Sequence, residues 1–121
     1  MNDVDSKVSI YMPTHNRANL VVRAVESVLK QSYKNIELIV VDDGSSDNSY
    51  ELLSKIKDNR LIILRNDKPK GACYSRNRAI EQATGKYITG LDDDDYFNEN
   101  RIEILLRAFD ENYSFVCDNS I

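Results

Sequence analysis

Four aspartates stand in an unbroken run from Asp92 to Asp95. Neighbouring carboxylates repel, and each tenfold loss of ionisation preference costs about 1.4 kcal/mol. A bound divalent cation removes that penalty and supplies Lewis acidity. Oxygen ligands with no flanking histidine or cysteine favour Mg2+ or Mn2+ over zinc. The plainer reading is a solvated acidic turn that caps the following helix. The strand-like Ile88 to Leu91 before the run and the amphipathic stretch after it favour the metal site.

A second acidic pair, Asp42-Asp43, closes an apolar run. A carboxylate there can accept hydrogen bonds from a uracil N–H or from ribose hydroxyls. It can equally form an Asx turn, with Asp47 or Ser46 capping the next helix. Both hold together if Asp47 caps while Asp42 faces a ligand. Arg76 lies near the start of a helical stretch, where a helix N-terminus and a guanidinium suit phosphate oxygens. Lys68, Lys70 and Arg78 read as solvated charges. His15, the single histidine, lacks a second histidine to support metal ligation; a general base, a ring stacked on a nucleobase and a structural role stay open.

These residues need elements to position them. Val8 to Met12 is a short β-rich run stopped by Pro13. Val21, Ala24, Val25, Val28 and Leu29 recur with helical spacing, and Asn19 is the expected cap. Ile36 to Val41 is nearly all apolar, as in a strand covered on both faces. A helix with Leu52, Leu53 and Ile56 inward follows, then a strand over Leu61 to Leu64. Cys73 to Thr84 reads as a helix stopped by Gly85, and Tyr87 to Leu91 as a fourth strand. Ile102, Leu105, Leu106 and Phe109 mark a last helix, and Tyr113 to Cys117 a fifth strand. This alternation predicts an α/β fold with three α/β/α layers and a mostly parallel sheet, formed as a single domain over residues 1–121. In such sheets ligands bind beyond the carboxyl ends of the strands. Thr14 to Arg17, Asp42-Asp43 and Asp92 to Asp95 all fall at those ends.

The totals narrow the classes. Of 121 residues, 41% are apolar and 30% charged, with 16 basic side chains against 20 acidic. No basic stripe marks a nucleic-acid binder. The two cysteines, Cys73 and Cys117, form no CxxC motif and read as buried thiols of a reducing compartment. Met1 to Lys7 lacks the apolar core of a signal peptide, and no run approaches the ~20 apolar residues of a membrane span. A cytoplasmic protein is expected, with at most peripheral contact at the inner face of a membrane.

Four stretches together resemble family 2 of the glycosyltransferases, which have the Rossmann-like GT-A fold. They are Pro13-Thr14-His15-Asn16-Arg17, Val40 through Asp47, Gly71 through Asn77 with Ala83 to Ile88, and Leu91 through Asp95. The match spans about Lys7 to Asp110. The resemblance implies transfer of a sugar from a nucleotide-diphosphate sugar, such as a UDP-sugar, to an acceptor hydroxyl with inversion. By that analogy Pro13, Thr14, His15, Arg17, Asp42, Asp43, Arg76, Asp92 and Asp93 form the nucleotide-sugar site. Thr14 and Asp42 would contact the base, with His15 packed against it where many relatives have tyrosine. Arg76 would lie near uracil or diphosphate and Asp93 near the ribose. Asp94, with Asp92, would hold Mn2+ or Mg2+ in a DXD-type motif. The acceptor would be a saccharide or lipid-linked saccharide, in the setting of surface polysaccharide synthesis. The general base is expected outside this chain, in an acceptor-binding half that the chain stops short of.

Other functions fit less well. A non-catalytic nucleotide-sugar-binding module would have the same site without the chemistry. A signalling receiver domain would place its acidic pair after the first strand, where Pro13-Thr14 stands instead. The spacing of Gly44, Gly71, Gly85 and Gly90 excludes GxGxxG, and no P-loop is present.

Overall fold

Alternation along the strands decides which residues meet which helices. In β1 (Val8–Thr14), Val8, Ile10 and Met12 join Leu38 and Val40 of β2 (Ile36–Asp43) on one face of the sheet. That face is covered by Val21, Ala24, Val25 and Val28 of α1 (Ala18–Leu29) and by Leu53 of α2 (Ser49–Ser54). The opposite face carries Tyr11, Ile39 and Val41, with Ile62 and Leu64 of β3 (Leu61–Asn66) packed on them. It meets Ala79 and Ile80 of α3 (Ala72–Gln82). Each such fully buried aliphatic side chain contributes about 1.5–3 kcal/mol. With β4 (Tyr87–Gly90) the strands lie in the order β3-β2-β1-β4, and every pairing is parallel. The expected three-layer α/β arrangement is therefore present. The computed structural model describes residues 6–91 and Asp93. The predicted last helix and fifth strand lie outside them.

The strand ends differ from expectation. β1 runs through Pro13 to Thr14, because β4 pairs only as far as Tyr11↔Gly90. The Val8 N–H faces the β2 side, donating to Asn35 O, whereas Tyr11 O accepts from Leu91 N–H on the β4 side. By alternation Pro13 faces the β4 side, where the ladder has ended, so its missing N–H removes no bond. β2 likewise continues through both aspartates.

Two predicted helix boundaries are corrected. Asn19 lies inside α1, and Arg17 holds the cap position without a side-chain bond. The Ala18 N–H is satisfied instead by Asp47 Oδ2, 3.2 Å away in the β2–α2 loop. α3 ends at Gln82, and Gly85 serves close approach: a Cβ there would stand 2.6 Å from Ser9 Oγ and 2.7 Å from Ser9 N. Cys73 is half-buried and disulfide-bonded, which corrects the buried-thiol expectation at that position; Cys117 lies outside the described residues. Among the described residues no helix is long and apolar enough to cross a membrane.

At the amino end of the sheet Glu37 is buried. Its carboxylate accepts from Ser9 Oγ (2.6 Å), Thr84 N–H (2.6 Å) and Thr84 Oγ1 (3.1 Å), with Lys7 Nζ at 3.4 Å. Burial pushes this carboxyl up, but the hydrogen bonds and the Lys7 charge together outweigh it and hold it below the ordinary value. The unfolded chain then binds the proton more tightly, so stability is full above the ordinary glutamate value of 4.5 and is lost as pH falls through the folded value. Glu37→Gln is expected to flatten the acid limb of a stability–pH curve measured by urea denaturation, and an unchanged acid limb would remove Glu37 as its source.

Candidate functional site

Beyond the carboxyl ends of β1 and β2 lies a cleft of about 300 Å³ lined by Pro13, Thr14, His15, Arg17, Asp43, Ala72 and Asp93. Six of these are sequence-predicted site residues. Ala72, at the first position of α3, is not. The cleft lies where open parallel sheets bind ligands.

Its walls are held by side chains that bridge loops far apart in sequence. Asn16 adopts a positive φ of 53°, a conformation that asparagine tolerates better than most residues. Its Oδ1 accepts from Ser46 N–H (2.7 Å) and Asp47 N–H (3.2 Å), and its own N–H donates to Ser45 Oγ (2.9 Å). The β1–α1 turn is thereby latched to the β2–α2 loop. With Asn16 Oδ1 committed to donors, its amide nitrogen donates to His15 Nε2 at 3.2 Å. His15 Nδ1 lies 2.7 Å from the Asp43 carbonyl, which can only accept, so the ring hydrogen sits on Nδ1. These two bonds fix the plane of the ring at the cleft wall.

Asp43 anchors the opposite wall. Its Oδ1 accepts from Asn66 Nδ2 (2.7 Å) and Lys70 N–H (2.7 Å), and its Oδ2 from Gly71 N–H (3.0 Å). Burial raises its pKa, but these three hydrogen bonds more than offset it and hold the carboxyl below the ordinary aspartate range. Two carboxylate oxygens offer about four acceptor positions, so one is left for a ligand donor. Arg17 Nε lies 3.7 Å from Asp93 Oδ2, tying Asp93 to the β1–α1 turn.

Asp42 and Thr14 are direct partners in the β1–β2 register. Asp42 is completely buried and stands behind the cleft, outside its lining. Its Oδ1 accepts from Ser45 N–H at 3.3 Å, and Arg65 Nε lies 3.8 Å from Oδ2. Neither Asp42 Oδ2 nor Thr14 Oγ1 has a hydrogen-bond partner among the described residues. An unsatisfied buried polar atom costs about 1–3 kcal/mol, and Thr14 is a cleft residue. Arg76 also stands outside the lining, its guanidinium 5.6 Å from the centre of the Tyr11 ring. Asn48, not Asp47, holds the α2 cap position, without a side-chain bond; Asp47, one residue earlier, accepts from Ser49 N–H at 2.9 Å.

The predicted metal ligands Asp92 and Asp94 lie outside the described residues, and among the described residues no three metal-ligating side chains cluster. Asp93, between them in sequence, brings a buried carboxylate to the cleft. Oxygen donors of that kind fit Mg2+ or Mn2+.

The sequence reading overlooked Asn16, Ser45, Asn66 and the Lys70–Gly71 amides as supports. Asn16, an asparagine in the turn two residues past β1, was the one available signal; the others depend on contacts 23 to 29 residues away.

Known proteins are similar to the chain in sequence and in fold. The chain is 40% identical over 116 residues to the UDP-Glc:alpha-D-GlcNAc-diphosphoundecaprenol beta-1,3-glucosyltransferase WfgD of Escherichia coli, covering 95% of this chain and 46% of that protein. S. aureus TarS 1-349 in complex with UDP-GlcNAc superposes with a TM-score of 0.77 at 28% identity, over 84% of this chain and 30% of the other. The mannosyltransferase PcManGT from Pyrobaculum calidifontis, in complex with GDP-Man and Mn2+, gives 0.68 at 25% identity over 72% and 27%. The chain spans less than half the length of the curated relatives it matches. The model of the glycosyl transferase family 2 matches residues 9–121. With that match and a GT-A fold, the chain belongs to the glycosyl transferase family 2.

Proposed function

We propose that this chain is the donor-binding part of an inverting, metal-dependent glycosyltransferase that takes a UDP-sugar. The observation that carries this reading is the single cleft uniting Pro13, Thr14, His15, Arg17, Asp43 and Asp93 at the strand ends. The UDP-GlcNAc complex of TarS supports the donor class.

In this reading the Thr14 hydroxyl, which lacks a protein partner among the described residues, bonds the nucleoside. The fixed His15 ring packs against the base. Of the two acids, Asp43 meets the base N–H with its spare lone pair, while Asp42 supports the wall from behind. Arg76 lies toward the base or diphosphate, and Asp93 accepts from a ribose hydroxyl. Asp94 and Asp92 would hold Mn2+ or Mg2+, which when bound offsets the charge of the diphosphate leaving group; the Mn2+ complex of PcManGT supports such an ion. The general base that takes the proton of the acceptor hydroxyl, and the residues that bind the acceptor, would come from outside this chain. The diphosphoundecaprenol acceptor in the name of WfgD supports a lipid-linked saccharide acceptor; its use in surface polysaccharide synthesis at the cytoplasmic face of a membrane is part of the proposal.

Titration of UDP into the isotope-labelled chain with Mg2+ is expected to move the amide resonances of Thr14, His15 and Ala72. His15→Ala is expected to weaken UDP about tenfold, the order of one aromatic contact. Saturable shifts that spare all three residues would overturn this placement of the donor.

A further inference from the structure

We propose that a second, strongly basic cleft beside β3 is a binding site for a phosphate-bearing anion. It has a volume of about 400 Å³ and lies between the end of β3 and the first turns of α3. Its lining shares no residue with the donor cleft. Arg65, Lys68, Lys70 and Arg78 contribute four positive charges against the single acid Asp67, on a chain whose formal net charge is −4.

Three of the four cations, Lys68, Lys70 and Arg78, are positioned without an acidic partner among the described residues, and Arg65 has Asp42. Arg78 Nη1 donates to the Arg65 carbonyl (2.8 Å) and to Asn66 Oδ1 (3.0 Å). Asn66 is itself buried and bonded to Asp43 and Ser75. The Arg78 guanidinium is thus fixed through a rigid partner, and its Nε and Nη2 have no hydrogen-bond partner among the described residues. Lys70 Nζ stands 5.5 Å from the Tyr74 ring centre, and Arg65 lies 4.8 Å over Tyr50. Contact with a ring face holds a cation while leaving its N–H donors available. Arg65 meets only the buried Asp42 carboxylate, at 3.8 Å. Lys68, Lys70 and Asp67 form no ion pairs among the described residues.

Gathering four cations around one lining acid, with only Arg65 ion-paired, is unfavourable, and an anion relieves it. A fixed guanidinium beside two ammonium groups matches phosphate oxygens. Tyr74, 47% exposed, offers an apolar face next to that anion. A phosphodiester or diphosphate is the ligand class that uses all of these groups, whether as a lipid headgroup or as a soluble phosphate compound. The assignment does not depend on the donor reading, since neither its residues nor its charges come from that cleft.

The test uses the whole 121-residue chain in EDTA, so that the acidic run cannot capture a metal–pyrophosphate complex. Inorganic pyrophosphate is expected to shift the resonances of Lys70, Tyr74 and Arg78. The double variant Lys68→Gln/Lys70→Gln, which keeps the Lys70 amide on Asp43, is expected to weaken pyrophosphate at least about tenfold with an unchanged melting temperature. Added salt is expected to weaken it further. Cosedimentation with phosphatidylglycerol vesicles, but not phosphatidylcholine vesicles, and its loss in the double variant would assign the anion to a lipid headgroup. Pyrophosphate binding without vesicle binding would assign it to a soluble ligand. Absence of pyrophosphate binding, equal binding by the double variant, or shifts confined to Thr14, His15 and Ala72 would each overturn the proposal.

Discussion

Asp43→Ala is expected to lower the stability of the chain by about 3–5 kcal/mol, a drop of roughly 10–20 °C in melting temperature. The truncation removes a buried acceptor that serves three donors: Asn66 Nδ2, Lys70 N–H and Gly71 N–H. Asn66 Nδ2 keeps Ser75 Oγ at 3.0 Å, but the Lys70 and Gly71 N–H groups have no other acceptor among the described residues. Hydrogen bonds to a charged group contribute more than neutral ones, and the partners left behind lose their solvation as well. Asp43→Asn keeps the volume but turns one acceptor into a donor facing N–H groups, so it is expected to fall between alanine and the native residue. Thermal denaturation followed by circular dichroism measures both. A loss below about 1 kcal/mol for the alanine variant would mean that this carboxylate does not hold the β3–α3 loop.

Gly44→Ala carries the second large effect, about 2–4 kcal/mol. Gly44 has a φ of 65°, a region where an alanine Cβ meets its own carbonyl. A Cβ there would also stand 2.5 Å from Pro69 N and 2.6 Å from the Lys68 carbonyl carbon. Those are backbone atoms, so no side-chain rotation relieves the clash and the loop itself must shift. That loop delivers the Lys70 and Gly71 amides to Asp43. The variant is therefore expected to weaken UDP as well as melting earlier, whereas a purely local strain would lower the melting temperature alone. Denaturation and UDP titration on the same protein separate the two.

The layers and the parallel order were legible because apolar periodicity is a local property. Val8, Ile10 and Met12 or Leu38 and Val40 show their shared face within a few residues of chain. What failed was set by distant partners. Asn19 was the natural cap by type, yet the donor at the start of α1 is taken by Asp47, 29 residues away. Gly85 looked like a helix stop and proved to be a contact with Ser9, 76 residues away. Asp42 and Asp43 illustrate a finer limit. Adjacent strand residues point to opposite faces, so which acid reaches the cleft depends on parity that only the packed sheet decides. Asp42 follows Met12 and Val40 toward the α1 layer, and Asp43 falls on the α3 side with Asn66 and Ser75. Lys68, Lys70 and Arg78 read as unrelated solvated charges until β3 and α3 brought them around one cleft.

The central claim is a metal-dependent donor site at the strand ends. Its most direct test is calorimetric titration of UDP into the chain with Mn2+, then with EDTA, repeated for Asp94→Ala. The account predicts binding with Mn2+ that weakens at least about 100-fold both in EDTA and in the variant. UDP binding that is indifferent to EDTA and to Asp94→Ala would contradict it.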